Sequence, residues 1–340
     1  MSIYNADTLR QWHTAPLDYV IEHSIEKIVE WIERWCGANL GSRYSYITYS
    51  GGLDSTVLVD MIKRFTEYGS HIGEYLQIVF VDTGLEYPEV RQQALSKATV
   101  VLRPRLTFRQ VLQQYGYPVI SKTQAMAIRK LTTQNLSEKY RNKLLYGDEK
   151  GKAGKLSDKW HYLLDAPFKI SERCCDVMKK APIHKFEHEN DYRYFGTGIT
   201  GERAEESETR KRNYYEYGCN AWKTKNPKSR PLSIWSHQHI LEYVAKYKVS
   251  YPSIYGKIKR DYLGRYYTTG VNRTGCMFCM FGCHLEKQPN RFQQMAVTHP
   301  KQYDYCINKL NLGKVLDYIN VEYRSAGTIK ENKNGQLMIV

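Results

Sequence analysis

Ser50-Gly51-Gly52-Leu53-Asp54-Ser55 is the stretch on which the fold turns. Before it, Tyr44 to Tyr49 is short, aromatic and β-branched, which predicts a strand. After it, Thr56 to Phe65 carries the apolar period of a helix. A strand that runs through two glycines directly into a helix is a phosphate-binding design. Glycine opens backbone conformations closed to other residues and lets an anion approach the main chain. The N–H groups of the turn and of the helix N-terminus then point at that anion. Ser50 and Ser55 add hydroxyl hydrogen bonds. Asp54 sits awkwardly beside a phosphate unless a Mg²⁺ bridges the two or the carboxylate caps the helix. An ordinary Gly-rich turn capped by Asp54 is the plainer alternative.

Working outward, Tyr19 to Trp35 reads as an amphipathic helix, with Val20, Ile21, Ile25, Ile28, Val29 and Ile32 at helical spacing. A second strand, Tyr75 to Val81, ends at Asp82-Thr83-Gly84. Glu89 to Ala98 reads as a helix and Thr99 to Leu102 as a third strand. This alternation predicts an α/β fold with a doubly wound parallel sheet. Lys122 to Lys185 breaks the rhythm with fifteen basic and seven acidic residues, a surplus of eight. Its centre, Gly147 to Lys159, reads as an exposed loop. The rhythm returns with a strand over Tyr192 to Thr200, ending at Gly201-Glu202-Arg203, and a helix over Ser236 to Tyr247. The expected organisation is a helical N-terminal segment over 1–40 and a nucleotide-binding α/β domain over 41–250, with a basic insertion at about 122–170. A cysteine-bearing and helical C-terminal region follows over 251–340.

The composition sets limits. With 340 residues and 42% apolar content, the chain is too apolar for a disordered protein. It has no run of about 18 apolar residues, so no membrane span is expected. The N-terminus lacks the pattern of a signal peptide, and a cytoplasmic location is the expectation. The net charge of +15 predicts an anionic partner, a nucleotide or a nucleic acid. Lys257, Lys259, Arg260, Arg265 and Arg273 interleave with Tyr262, Tyr266 and Tyr267, a pattern suited to phosphates and stacked bases. A solvated basic face is the plainer reading of the same residues.

Eight cysteines in a reducing compartment are not expected to form disulfides. Cys36, Cys219 and Cys306 are isolated and read as core residues. Cys174-Cys175 and Cys276-Met277-Phe278-Cys279 are candidate metal ligands, with Cys283 close by. Taken alone, the second group suits a zinc knuckle, a redox pair or part of an iron–sulfur site.

The hexapeptide resembles the loop of the N-type ATP pyrophosphatases (the PP-loop superfamily), and its phosphoadenylylsulfate reductase branch above all. It differs from a Walker loop, because no Gly-Lys-Ser/Thr follows. Three further segments resemble that branch in the same order: Ile78 to Glu89 with its Asp82-Thr83-Gly84, Thr200-Gly201-Glu202-Arg203-Ala204-Glu205-Glu206-Ser207, and Arg230-Pro231-Leu232-Ser233-Ile234-Trp235. The resemblance covers about Ser45 to Cys283. It implies the fold of the adenine nucleotide alpha hydrolases. It also implies that Ser50, Gly51, Gly52, Asp54, Ser55, Asp82, Thr83, Gly201 and Arg203 bind an adenine nucleotide, ATP with Mg²⁺ or a sulfonucleotide. Asp54 and Arg203 would act in the chemistry. For Arg203 a surface ion pair with Glu205 or Glu206 is the bland alternative. Arg173 to Pro182 resembles the Cys-Cys-x-x-x-Lys segment of adenylylsulfate reductases, and Gly275 to Cys279 their second cysteine pair. By that resemblance Cys174, Cys175, Cys276 and Cys279 would hold a [4Fe–4S] cluster with Lys179 beside it. Cys283 would replace a ligand, serve another metal state or pack in the core.

The resemblance stops at the reductase nucleophile, a Glu-Cys-Gly-(Leu/Ile)-His segment with no counterpart here; the last cysteine is Cys306. The expected function is therefore ATP-dependent substrate adenylation and sulfur transfer, on nucleic acid as one option and with a sulfur donor protein. The DNA-phosphorothioation ATP pyrophosphatases are a group of that build. The alternatives are a sulfonucleotide reductase with a non-standard thiol and a nucleic-acid-binding module with structural nucleotide and cluster.

Overall fold

The structure is a computed structural model and describes residues 4–36, 44–149, 151, 154–190, 193–324, 329–331 and 337–339. In chain order the strands are β1 (Ser45–Thr48), β2 (Leu76–Val81), β3 (Val100–Leu102), β4 (Val119–Ile120), β5 (Gly198–Thr200), β6 (Asn220–Ala221), β7 (Lys228–Ser229), β8 (Ile258–Arg260), β9 (Tyr266–Thr268), β10 (Met280–Phe281), β11 (Ile329–Glu331) and β12 (Leu337–Ile339). Two compact units are present. One is built from Met1–Arg103 and Pro182–Thr274, the other from Pro104–Ala181 and Gly275–Val340. The sequence ranges 41–250 and 251–340 each contribute to both units.

The first unit holds a six-stranded sheet in the order β3-β2-β1-β5-β7-β6. All neighbours are parallel except β6, which runs antiparallel to β7. The fold is thus α/β with a mostly parallel central sheet. Strand side chains alternate between faces, and both faces are covered here. Ile47 of β1 with Leu76, Ile78 and Phe80 of β2 join one apolar cluster. Their neighbours Tyr46 and Val79 join another, with Phe186 and Tyr194. The larger cluster takes Val20, Ile28, Trp31 and Ile32 from helix Leu17–Cys36, so that amphipathic helix packs on the sheet. Trp31 donates its indole N–H to the Thr197 carbonyl at 3.1 Å, and Trp235 donates to Ser24 Oγ at 2.8 Å.

Several expectations shift in detail. The strand expected over Tyr192 to Thr200 is cut to Gly198–Thr200, because Gly196 takes a positive φ of 66° and turns the chain. Tyr192 lies outside the described residues. In the second unit, the basic insertion is largely helical, over Lys122–Thr133 and Glu138–Tyr146. Gly147 to Lys159 is not wholly an exposed loop, since Leu156 is fully buried and its N–H donates to the Leu144 carbonyl at 2.7 Å. The stretch after Pro289 is helical over Arg291–Thr298, Pro300–Asp304 and Leu312–Tyr318, as its apolar residues suggest. It closes on the β11–β12 hairpin, which the helical reading did not include. Cys219 and Cys306 are buried core residues, and the Cys36 side chain lies outside the described residues. Among the described residues, no helix is long and apolar enough to cross a membrane.

Gly51 shows how tightly the turn after β1 is determined. Its φ is +75°, and a Cβ there would lie 2.5 Å from the Val90 carbonyl oxygen. Gly73 also has positive φ, at +99°, but open space around it. Gly73→Ala therefore bears only the backbone cost of about 1–2 kcal/mol, whereas Gly51→Ala adds a clash with main chain. In thermal melts Gly51→Ala lowers Tm clearly more than Gly73→Ala; equal shifts would contradict this placement.

Candidate functional site

Chain order places the loop at the point where the sheet changes direction. From β1 the chain builds outward through β2 and β3, then returns to lay β5 on the other side of β1. Ligands of open α/β sheets bind outside the carboxyl ends of the strands at such a switch point. Ser50–Ser55 follows β1, and Gly201–Glu206 follows β5.

The loop is closed by its own hydroxyls. Ser50 Oγ and Ser55 Oγ lie 3.1 Å apart, and the Ser50 and Gly52 N–H groups donate to Ser55 Oγ and Ser50 Oγ at 3.2 and 3.3 Å. Gly52 is the N-cap of helix Leu53–Phe65 and offers no side-chain cap. Asp54 therefore does not cap that helix; it sits in its first turn. The helix N-terminus keeps the partial positive charge that favours an anion. Gly201 approaches closely, since a Cβ there would stand 3.1 Å from the carbonyl carbon and oxygen of Asp54 and from the Ser55 nitrogen. One partner was missed by sequence reasoning. Tyr255 accepts the Leu53 N–H at 3.3 Å and lies 2.7 Å from Thr274 Oγ1. Neither residue belongs to a recognisable motif, so no local signal marks them.

Arg203 is only 3% exposed, so the pairing with Glu205 and Glu206 of the plainer alternative is present, but buried and not on the surface. Its Nε donates to Asp54 Oδ2 at 3.0 Å, and its terminal nitrogens meet Glu205 and, at 3.5 Å, Glu206. Arg210 pairs with Glu206 and Glu202, Arg230 Nε donates to Glu202 at 3.1 Å, and Arg273 lies 2.9 Å from Glu206. Arginines and carboxylates thus interleave in one network. A cavity of about 380 Å³ opens beside it, lined by Arg203, Glu205, Glu206, His237, Tyr266, Tyr267, Asn272 and Arg273. The Nδ1 atom of His237 is buried without a hydrogen-bond partner. Burial, then the charge of Arg203, holds this imidazole toward its neutral form.

Asp82 and Thr83 follow β2 and are both buried. Asp82 accepts two hydrogen bonds from Arg91, at 2.8 and 2.7 Å, and Thr83 donates to Glu86 at 2.6 Å. Arg91 was another partner that the sequence motif did not reveal.

All five clustered cysteines lie in the second unit. Cys174 and Cys175 have sulfurs 4.0 Å apart and precede a π-helical turn, Asp176–Lys180. Their mutual hydrogen bond splits the pair: Cys174 is pushed up, with Cys279 and Cys276 adding to the effect, and Cys175 is pulled down, helped by Lys122 and Lys179. Cys276 and Cys279 therefore stand within electrostatic reach of the adjacent pair. Burial raises Cys279, and its carbonyl accepts from Arg291 at 3.0 Å. Cys283 is buried, donates to the Met280 carbonyl at 3.0 Å, and is pushed up to about 12 by burial. Lys122 and Arg291 are the cations that sequence reasoning missed. Among the described residues, no group of three or more His, Cys, Asp or Glu side chains is arranged to hold a single metal ion.

These observations define a mostly parallel α/β protein with a phosphate-type loop at the switch point. The model of the phosphoadenosine phosphosulfate reductase domain matches residues 131–289. That stretch of the chain is similar to the domain. The match takes in Cys174, Cys175, Gly201, Arg203, Cys276, Cys279 and Cys283, and begins after the Ser50–Ser55 loop. The chain is 24% identical over 236 residues to an uncharacterised protein of Methanocaldococcus jannaschii, covering 68% of this chain and 35% of that protein. It thus spans about a third of that relative's length. It also aligns with the crystal structure of phosphoadenylyl-sulfate reductase from Candida auris in its phosphate complex. That alignment has 17% identity and a TM-score of 0.33, over 73% of this chain and 95% of the other.

The Asp82–Arg91 pair yields a prediction. Hydrogen bonds from Arg91 hold the Asp82 carboxyl below the ordinary carboxylate range. A depressed folded-state pKa stabilises the fold above the unfolded carboxylate pKa, and the contribution is lost as pH falls through the folded one. Asp82→Asn therefore lowers Tm at neutral pH, and the gap to wild type narrows below about pH 4. Melts across this range check it; a constant gap contradicts it.

Proposed function

We propose that this protein is an ATP-pyrophosphatase-type enzyme that adenylates an acceptor oxygen as the activating step of sulfur transfer. The observation that carries the reading is the Ser50–Ser55 loop, with Gly51 sterically required, Gly201 in close approach and buried Arg203 tied to Asp54. The N–H groups of the loop and of the first helical turn would hold the β- and γ-phosphates. The acceptor oxygen attacks the α-phosphorus, the bond from that phosphorus to the bridging oxygen breaks, and pyrophosphate leaves. Negative charge grows on the leaving pyrophosphate, where the helix N-terminus and the arginines of the network stabilise it. Mg²⁺, held through Asp54, would offset phosphate charge and release Arg203 from part of its carboxylate load. Asp82 and Thr83 would flank the nucleotide at the end of β2.

We assign Cys174, Cys175, Cys276 and Cys279 to a [4Fe–4S] cluster. The donor set suits it: four thiols in one unit, with Lys122 and Lys179 acting on Cys175 and Arg291 on Cys279. Such a cluster supplies electron transfer or a site for sulfur ligation. The cations would offset its negative charge.

A sulfonucleotide reductase is the second reading, favoured by the name of the matched domain. That chemistry needs an accessible thiolate. Cys219, Cys283 and Cys306 are each buried and pushed up to about 12, the opposite of nucleophile activation. This favours adenylation.

The test supplies ATP, adenylylsulfate and phosphoadenylylsulfate separately to anaerobically purified protein. Water stands in for the acceptor oxygen in this assay: AMP and pyrophosphate appear from ATP with Mg²⁺ and are lost in Asp54→Ala, and neither sulfonucleotide yields sulfite. Sulfite release would overturn the first reading in favour of the second. The same preparation is brown, absorbs broadly near about 400 nm and contains iron. Cys175→Ser and Cys276→Ser lose both colour and iron. Colourless protein with stoichiometric zinc would refute the cluster.

A further inference from the structure

The β8–β9 hairpin is an exposed ribbon with unusual chemistry for a surface turn. At its tip Tyr262 is 93% exposed and Leu263 60%. From Lys257 to Thr268 it carries four basic residues and one acid. The acid, Asp261, is taken by Arg265 at 3.0 Å within the hairpin. Lys257, Lys259 and Arg260 have no ion-pair partner among the described residues. The antiparallel register sets Lys259 opposite Tyr267 and Arg260 opposite Tyr266. Neighbouring positions on a strand face opposite sides; Tyr266 is half-buried against the main apolar cluster and its hydroxyl accepts from Arg260, while Lys259 and Tyr267 share the other side. The Arg260 guanidinium lies 4.3 Å from the Tyr266 ring centroid.

The ribbon is also anchored. Gln238 donates to the Tyr266 carbonyl at 2.9 Å and accepts its N–H at 2.8 Å, which clamps β9 to helix His237–Tyr247. Gly270 N–H donates to the Tyr255 carbonyl at 2.9 Å and Thr269 N–H to the Lys257 carbonyl at 3.0 Å, closing the base. Tyr266 and Tyr267 line the same cavity as Arg203 and Arg273. Asn272 stands there too, with its Oδ1 accepting from Thr268 at 3.1 Å.

We infer that the β8–β9 hairpin is a binding ribbon for single-stranded nucleic acid, leading an unpaired strand toward the Arg203 cavity. Its cations would meet phosphates, and Tyr262 would stack on a base. Stacking needs unpaired bases, which selects a single strand over a duplex. An anionic lipid surface would meet the cations and the tip, but it has no use for a ribbon rooted in a polar cavity. The strand's role as sulfur acceptor rests on the proposed adenylation; its binding does not.

The experiment uses full-chain protein and a fluorescent polypyrimidine DNA strand of about 20 nucleotides, read by anisotropy across a salt series. Wild type binds, with log affinity falling as log salt rises. Tyr262→Ala weakens binding about tenfold. The triple change Lys257→Ala, Lys259→Ala, Arg260→Ala flattens the salt slope by about 2. Both variants keep the wild-type Tm and release pyrophosphate from ATP without DNA at the wild-type rate. That last readout separates a failed ribbon from a failed enzyme. Wild type that binds no DNA, variants that bind it like wild type, or binding to phosphatidylserine vesicles in its place would each overturn the inference.

Discussion

The Arg203–Asp54 ion pair is the constraint around which the site is organised. It joins the first turn of the helix after β1 to the turn after β5, two segments 149 residues apart in sequence. A buried guanidinium is costly unless its charge and its donors are met. Here Asp54, Glu205 and Glu206 meet them. Removing Asp54 leaves Arg203 with the two glutamates, whereas removing Arg203 takes the shared cation from all three carboxylates. Gly201 lies in close approach, since a Cβ there would stand 3.1 Å from the Asp54 backbone. The loop and the arginine are thus fixed by the same contact.

That arrangement also bears on binding. The arginines of the network are matched by carboxylates, so the cavity does not present bare positive charge. An incoming triphosphate must displace carboxylates from arginine, or bring a cation that engages them. Under the proposed function, Mg²⁺ would do more than screen: it would redistribute partners that the protein already holds. The overall charge of +15 resides largely elsewhere, with a surplus of eight in Lys122 to Lys185.

Much of this was legible in the sequence where the requirement is local. The hexapeptide announces itself because a tight turn between strand and helix demands glycine, whereas Gly201 and Arg203 were marked only by the resemblance of Thr200 to Ser207 to the reductase branch. Strands β1, β2 and β3 were readable because apolar and β-branched runs were bounded by turns. What was hidden comes from distance. Arg91, Tyr255, Thr274, Lys122 and Arg291 act on motif residues from stretches with no motif of their own. Asp54 was read as a Mg²⁺ ligand or a helix cap, and only the fold reveals Arg203 as its partner. The strand expected over Tyr192 to Thr200 is shortened to Gly198–Thr200 for a related reason. Tyr194 serves the smaller apolar cluster from a turn, and β-propensity reports apolar packing as readily as ladder pairing.

The most direct measurement is a crystal structure of the protein with Mg²⁺ and a non-hydrolysable ATP analogue. The account predicts β- and γ-phosphates on the backbone N–H groups of Gly51 to Ser55, with Arg203 shifted from carboxylate toward phosphate. A nucleotide seated away from that loop, or phosphates bound there with every Arg203 carboxylate contact intact, would contradict it.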